Sequence, residues 1–285
     1  MHPMISNIRQ LTATDVEDID PILMIAYGRP SSFKSELQLY LTLQPDGWLI
    51  AECDGVPVGM VGAVDYGTFA YVGLLCVHPA FQRRGIGQLL MKKILVWLDD
   101  RGCPNAVLDA TEVGVPLYTK LGFVQQEKSL LLKQDSAIQH IGSFKFVSEL
   151  CSTDLSDLVT FDTPIFGASR KAVFAAFLKE FPNRAFVARN QTGQIVGYLF
   201  AQSQRLGPWA ASTLEAAEAL LATALQLSFG DTPLVLVPGS NQTATALLGR
   251  YGFTQQRSLS HMRRSRRAVP DRRFLLYGMT NFALG

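Results

Sequence analysis

The sequence has 285 residues, of which 48% are hydrophobic and 18% charged, with a formal net charge of +2. At roughly 150 residues per domain this is material for two domains with ordinary cores, and its near-neutral charge gives no electrostatic reason to expect nucleic acid or an anionic membrane as partner. No stretch approaches the roughly 20 apolar residues that span a bilayer, the N-terminus lacks a signal-type apolar region, and the scattered Cys53, Cys76, Cys103 and Cys151 form no C-x-x-C pair, so a cytoplasmic protein of a reducing compartment, without a metal, is expected.

In chain order, a strand over residues 5–11 leads into a helix opening at Thr14-Asp15, a plausible N-cap pair. Strands at 48–53 and 58–65 flank the Asp54-Gly55 turn, a hairpin signal. There follow a strand at 71–77, a helix at 85–100, a strand at 106–110, a short helix around 117–121 and a strand at 129–133. The second half repeats this order. Residues 150–157 (Leu-Cys-Ser-Thr-Asp-Leu-Ser-Asp) echo 11–18 (Leu-Thr-Ala-Thr-Asp-Val-Glu-Asp), Val196-Gly197 echoes Val58-Gly59, and Gly252-Phe253 echoes Gly122-Phe123. The common order and near-constant offset indicate a duplication. The two copies are placed at 1–133 and 142–285, with a polar boundary between Gln134 and Gly142. Strands interleaved with helices in each copy predict an α/β protein of the mixed-sheet, α+β kind.

The first copy carries a candidate anion site. Leu74-Leu75-Cys76-Val77 is a continuous apolar run of the kind found in a strand buried on both faces. His78-Pro79 ends it, and Gln82-Arg83-Arg84-Gly85-Ile86-Gly87 then leads into an amphipathic helix with Ile86, Leu89, Leu90, Ile94, Trp97 and Leu98 on one face. A helix that starts there presents unpaired backbone N–H groups and the positive end of its dipole. Two glycines let a diphosphate approach the backbone, and two arginines add charge. The turn is neither a dinucleotide fingerprint nor a P-loop, because it lacks the first glycine of one and the Gly-Lys-Ser/Thr of the other.

The run Val-His-Pro-x-x-Gln-Arg-Arg-Gly-Ile-Gly resembles the acetyl-CoA-binding motif of the GNAT superfamily, R/Q-x-x-G-x-G/A, and Leu117-Tyr118 followed by Gly122-Phe123 resembles that family's second signature. The resemblance implies two tandem GNAT-like domains, each a central mixed β-sheet flanked by helices, and a direct attack on acetyl-CoA by the amine of a small molecule in a ternary complex. It implies that backbone at Leu75 and Val77 pairs with the pantetheine arm and that Gln82, Arg83, Arg84, Gly85, Ile86, Gly87 and Gln88 hold the pyrophosphate. Thr111 stands where the family often has an asparagine that touches pantetheine. Tyr118 is the implied acid for the departing thiolate, and the N–H near Val77 the implied oxyanion donor. For the base, Asp65, Asp109 and Glu112 lie at strand ends facing the expected cleft, with Glu112 taken as the candidate, while His78 reads as a strand-end residue. Protein N-acetylation, and acyl-CoA sensing without turnover, are the alternative readings.

The second copy lacks the glycine turn and has Leu248 at the position of Tyr118 and Asn241 at that of Thr111. It resembles the degenerate C-terminal copy of tandem GNAT proteins, expected to shape the acceptor pocket or an interface between two chains. Asp162 and Arg170, in an aromatic-rich stretch, are candidates to clamp the ammonium and carboxylate of an amino-acid-like acceptor. Arginines 263, 264, 266, 267, 272 and 273 read as an exposed loop, with the cofactor's 3′-phosphate or RNA as the other readings.

Overall fold

The computed structural model of the chain describes residues 5–135, 146–265 and 272–285. Most of the expected boundary between the copies, together with Arg266 and Arg267, lies outside the described residues.

The first copy runs β1 (Ile5–Gln10), α1 (Val16–Tyr27), α2 (Lys34–Leu43), β2 (Trp48–Cys53), β3 (Val56–Asp65), β4 (Ala70–Val77), α3 (Ile86–Asp100), β5 (Asn105–Ala110), α4 (Val115–Lys120) and β6 (Val124–Gln134). The second repeats it as β7 (Val147–Glu149), α5 (Leu155–Phe166), α6 (Lys171–Glu180), β8 (Ala185–Arg189), β9 (Ile195–Ala201), β10 (Arg205–Ala211), α7 (Leu214–Ala224), β11 (Leu234–Pro238), α8 (Gln242–Arg250) and β12 (Phe253–Ser265), with a short extra strand, β13 (Leu276–Gly278). The sequence echoes have a structural cause. Asp15 accepts from Thr12 N–H and Asp154 from Cys151 N–H, each at 2.8 Å. Each is also bridged at 2.7 Å by an arginine, Arg9 in one copy and Arg189 in the other. The motif thus caps the same helix entry twice. Helices α2 and α6 are elements that periodicity alone did not bring out.

All strands join one mixed sheet in the order β1-β2-β3-β4-β5-β12-β6-β11-β10-β9-β8-β7, with β13 against β10. The middle of this order is an exchange. The last strand of the second copy, β12, lies beside β5 of the first (Ser260↔Ala110), and the last strand of the first, β6, lies beside β11 of the second (Val235↔Leu132). The two exchanged strands pair with each other from Phe253↔Gln134 to Arg263↔Val124. Neither copy therefore has a complete sheet without the other, and no edge is left open at the junction.

In the first copy α3 packs on β2, β3 and β4 through buried Ile86, Leu90, Met91, Ile94, Leu95 and Leu98. Full burial is worth roughly 1.5–3 kcal/mol for each such side chain. Leu89, expected on this face, is 42% exposed, and Met91 and Leu95 take its place. Cys53, Cys76 and Cys103 are buried and free, as small apolar side chains. Among the described residues no helix is long and apolar enough to cross a membrane, and no group of three His, Cys, Asp or Glu side chains could hold a metal.

Candidate active site

Strands β4 and β5 are parallel but pair only at Ala70↔Ala106 and Tyr71↔Val107. Beyond that point they diverge. Leu74 has φ +54°, and the register of β3 on β4 slips between Met60 and Gly62, so β4 bulges where it leaves its neighbour. The divergence opens a cavity of ≈ 200 Å³ lined by Leu74, Leu75, Leu108, Asp109, Thr111 and Tyr118. Ala26, Tyr27, Arg257, Leu259 and Phe282 also line it. Arg257 and Leu259 come from the exchanged strand β12, and Phe282 from the C-terminal segment. That segment passes so close to β4 that a Cβ on Gly73 would lie 2.6 Å from Ala283 Cα, which only glycine avoids.

The turn after β4 has the expected form. Gly85 is the N-cap of α3 with φ +81°, and Arg83 has φ +61°. The first backbone bond of α3 runs from Leu89 N–H to Gly85 C=O at 3.0 Å, leaving the N–H groups of the preceding residues at the open end. Gln82, Arg83, Arg84 and Gln88 are exposed, and a Cβ on Gly85 would meet nothing within 4 Å. Gln82 Nε2 donates to Val77 C=O at 3.0 Å, and Arg84 Nη2 to Ala80 C=O at 2.9 Å, which fixes the turn to the end of β4. The donors, the charge and the free space suit a diphosphate. Leu75 C=O, one of the expected pantetheine partners, accepts from Tyr27 OH at 3.3 Å.

Tyr118 lies on α4 at the cavity wall, edge-on to Phe123, with ring centroids 6.0 Å apart. Burial pushes its hydroxyl up to about 12, so it is a protonated donor at neutral pH. Thr111 lines the cavity, and its Oγ1 accepts from Gly114 N–H at 3.3 Å. Glu112 is exposed and does not line it. Asp65 is occupied elsewhere, bridging Arg101 at 3.1 Å and accepting from Gly67 N–H at 2.7 Å. His78 Nδ1 accepts from Ala80 N–H at 3.2 Å, a local cap.

Among the described residues Asp109 is the one carboxylate that lines the cavity, and three donors hold it. Ser129 Oγ donates to its Oδ1 at 2.6 Å, His261 Nδ1 lies 3.2 Å from the same oxygen, and Tyr71 OH donates to Oδ2. Burial alone would raise its carboxyl, but the bonds from His261, Ser129 and Tyr71 outweigh burial and hold it below the usual range. Burial and the charge of Arg273 depress His261, against the opposing pull of Asp109. Sequence reasoning did not find this network, because Ser129 and His261 reach Asp109 only through the strand exchange.

The clamp read into Asp162 and Arg170 needs correction. Both side chains are fully buried and bound to each other, Nη2 to Oδ1 at 2.6 Å and Nε to Oδ2 at 2.9 Å. Tyr198 OH bonds both, and Arg170 Nη1 reaches Thr280 Oγ1 at 3.1 Å. With every charge satisfied internally, neither can face an acceptor. The arginine run is likewise not a free loop where it is described. Arg263 and Arg264 lie on β12, and Arg273 binds Glu127 at 2.5 Å.

The second copy has the same parallel start, Arg205↔Leu234 and Leu206↔Val235, but its divergence is filled. Strand β13 pairs with β10 inside it, Met279 N–H donates to Leu236 C=O at 2.7 Å, and Asn241 Nδ2 donates to Leu276 C=O at 3.0 Å. The chain's own segment takes the space that the first copy keeps open.

Residues 14–123 match the profile of the acetyltransferase (GNAT) family, and residues 158–278 that of an acetyltransferase (GNAT) domain. The chain is 28% identical over 174 residues to YitH, an uncharacterized N-acetyltransferase of Bacillus subtilis, spanning 60% of each protein. It is 33% identical over 103 residues to acetyltransferase SG1711 of Sodalis glossinidius, covering 34% of this chain and 70% of that one. The crystal structure of a candidate acetyltransferase from Pyrococcus horikoshii superposes over 100% of both chains with TM-score 0.86 and 27% identity. A GCN5-related N-acetyltransferase from Sphaerobacter thermophilus shares the fold at TM-score 0.68 and 15% identity, over 93% of this chain and 97% of that one.

Proposed function

The chain belongs to the acetyltransferase (GNAT) family, with two GNAT domains in tandem, and on that premise we propose that its first copy moves an acetyl group from acetyl-CoA to the amine of a small molecule by direct attack in a ternary complex. The observation that carries the reading is the β4–β5 divergence, which opens a cavity with Tyr118 on its wall, beside the Gly85 turn that follows β4. Acetyl-CoA brings an activated thioester. The chain's part is to hold the pyrophosphate on the N–H groups and arginines of residues 82–88 and to pair the pantetheine with bulged backbone at Leu75 and Val77, Thr111 standing beside it. The N–H near Val77 faces the developing oxyanion, and Tyr118 donates a proton to the departing sulfur.

An amine with pKa ~10.4 is almost wholly protonated at pH 7, which costs about 5 kcal/mol to reverse. Glu112, exposed beyond the end of β5, takes that proton through solvent rather than by contact. The small cavity, with Phe282 and Arg257 among its lining residues, favours a small molecule over a peptide. Thiol release from acetyl-CoA, measured over panels of small amines and peptides, tests this. Turnover with small amines supports it, release only with peptides replaces the acceptor class, and binding without release makes the protein a sensor. Tyr118→Phe is expected to lower kcat by about 100-fold or more while acetyl-CoA binding persists. Unchanged turnover removes Tyr118 from the reaction.

A further inference from the structure

Two guanidinium groups stand against the ring of Phe282, one of the residues that line the cavity. Arg257, on the exchanged strand β12, lines the cavity, and its Cζ lies 5.4 Å from the centroid of the Phe282 ring. Arg205, at the start of β10, lies against the same ring with its Cζ 5.7 Å from the centroid. Neither makes an ion pair among the described residues, and Arg205 Nη1 is buried with no hydrogen-bond partner.

The nearby carboxylates do not answer them. Glu36 is bound by Arg29 at 2.6 Å, and the oxygens of Asp109 are taken by Ser129, His261 and Tyr71. Burial, with the neighbouring charges of Arg29 and Arg257 added to it, pushes the Arg205 guanidinium down to about 10, outweighing the opposing pull of Tyr40 and Glu36. Two like charges on one aromatic ring, one of them desolvated, make a site that lacks an anion. A guanidinium holds a carboxylate through paired N–H donors. The same positive field favours the neutral form of an amine bound beside it, the form that attacks.

Resting on the acetyl-transfer reading above, we infer that the acceptor carries a carboxylate as well as its amine, an amino-acid-like small molecule whose carboxylate Arg257 holds directly and Arg205, against the same Phe282 ring, supports. The second copy thus contributes to acceptor selection through strands β10 and β12, although its own cleft is filled.

The test is binding to the CoA-saturated protein, by calorimetry, of a series of N-acetyl amino acids, their carboxamides and the matching phosphonates. At least one carboxylate is expected to bind about ten-fold or more tightly than its carboxamide, the scale of a lost charge-assisted pair. That preference is expected to vanish in Arg257→Gln, shrink in Arg205→Gln and survive in part in Arg257→Lys. Arg257 is exposed, and a melting curve confirms that its variants fold. Equal affinity for acid and amide, no binding of any acid, or a preference that persists in Arg257→Gln overturns the inference. A phosphonate that outcompetes every carboxylate overturns the choice of carboxylate. Thiol release with neutral amines as fast as with amino acids sinks this inference alone. A carboxylate preference in binding with no thiol release from any amine sinks the transfer reading and leaves the anion site standing.

Discussion

Asn241 Nδ2 donates to the carbonyl of Leu276 at 3.0 Å while its Oδ1 accepts from Ala244 N–H at 2.9 Å, so one side chain caps α8 and anchors β13. It occupies the position that Thr111 has in the first copy, and the backbone it grips belongs to this chain. Asn241→Leu strands a buried carbonyl and an uncapped helix N–H. It is expected to cost about 2–4 kcal/mol in urea unfolding. Since the second cleft is already filled, acetyl-CoA is expected to titrate at one site per chain in the parent and in the variant. Two sites in the parent would refute the filled cleft.

The pair Asp162–Arg170 is expected to behave as structure. Asp162→Ala leaves a buried guanidinium facing Tyr198 and Phe166, whose ring centroid is 4.0 Å from its Cζ. The expected loss is about 3–5 kcal/mol, and replacing both charges with apolar side chains of similar volume recovers most of it. If Asp162→Ala raised the acceptor KM at full stability, the clamp would return.

Much of the first copy can be read along the chain because its signals are local. A cap, a hairpin turn and a glycine turn each lie within a few residues: Asp54-Gly55 and Gly85 stand where expected, and the helix entry expected at Thr14-Asp15 opens two residues earlier, at Thr12, with Asp15 closing the cap. The strand exchange has no local signal. The Leu130-Leu131-Leu132 run of β6 suits any buried strand position, and only tertiary pairing decides whether β5 or β11 receives it. The same blindness explains the reading of Arg170 as an acceptor contact. Arg170 stands among aromatics and looked like a pocket residue, but those aromatics are core. Arg257 lies in the exposed polar run Thr254-Gln255-Gln256-Arg257-Ser258, and only the pairing of β12 with β6, Arg257 opposite Leu131, brings it to the cavity wall.

The burial of His261 sets a pH dependence, against the opposing pull of Asp109. His261 is held below its ordinary value of about 6.5, so the unfolded chain binds its proton first as pH falls. Stability from this residue is complete above about pH 6.5 and is lost as pH falls from there toward the folded value, by up to about 1.4 kcal/mol per unit. Asp109, Glu127 and Arg273 are the charged groups that act on it, and Ser129 and Tyr71 bond the same Asp109. Asp109, also depressed, adds a second loss at lower pH, once the pH falls through the carboxylate range. Urea unfolding between pH 5 and 8 should show the first limb in the parent and a flatter one in His261→Gln. Identical slopes in both proteins would mean that His261 does not titrate in this way.

Gly85 and Gly87 separate folding from phosphate binding. Gly85→Ala meets no atom within 4 Å but must hold φ +81°, so about 1 kcal/mol of stability is lost to backbone strain alone. Gly87 has no positive φ, and its Cβ would sit 3.8 Å from Leu117 Cδ2 and 3.9 Å from Val77 Cγ2, ordinary contacts. Inside α3, Gly87→Ala should stabilise by up to about 1 kcal/mol through helix propensity. Its added methyl group nevertheless lies at the open end of α3, where the close approach of a pyrophosphate is expected. Initial rates should therefore show the acetyl-CoA KM of Gly87→Ala raised by about ten-fold, with kcat little changed and the melting temperature no lower than the parent's. A more stable variant that binds acetyl-CoA worse cannot be explained by damage to the fold. An unchanged KM would place the pyrophosphate somewhere other than this turn.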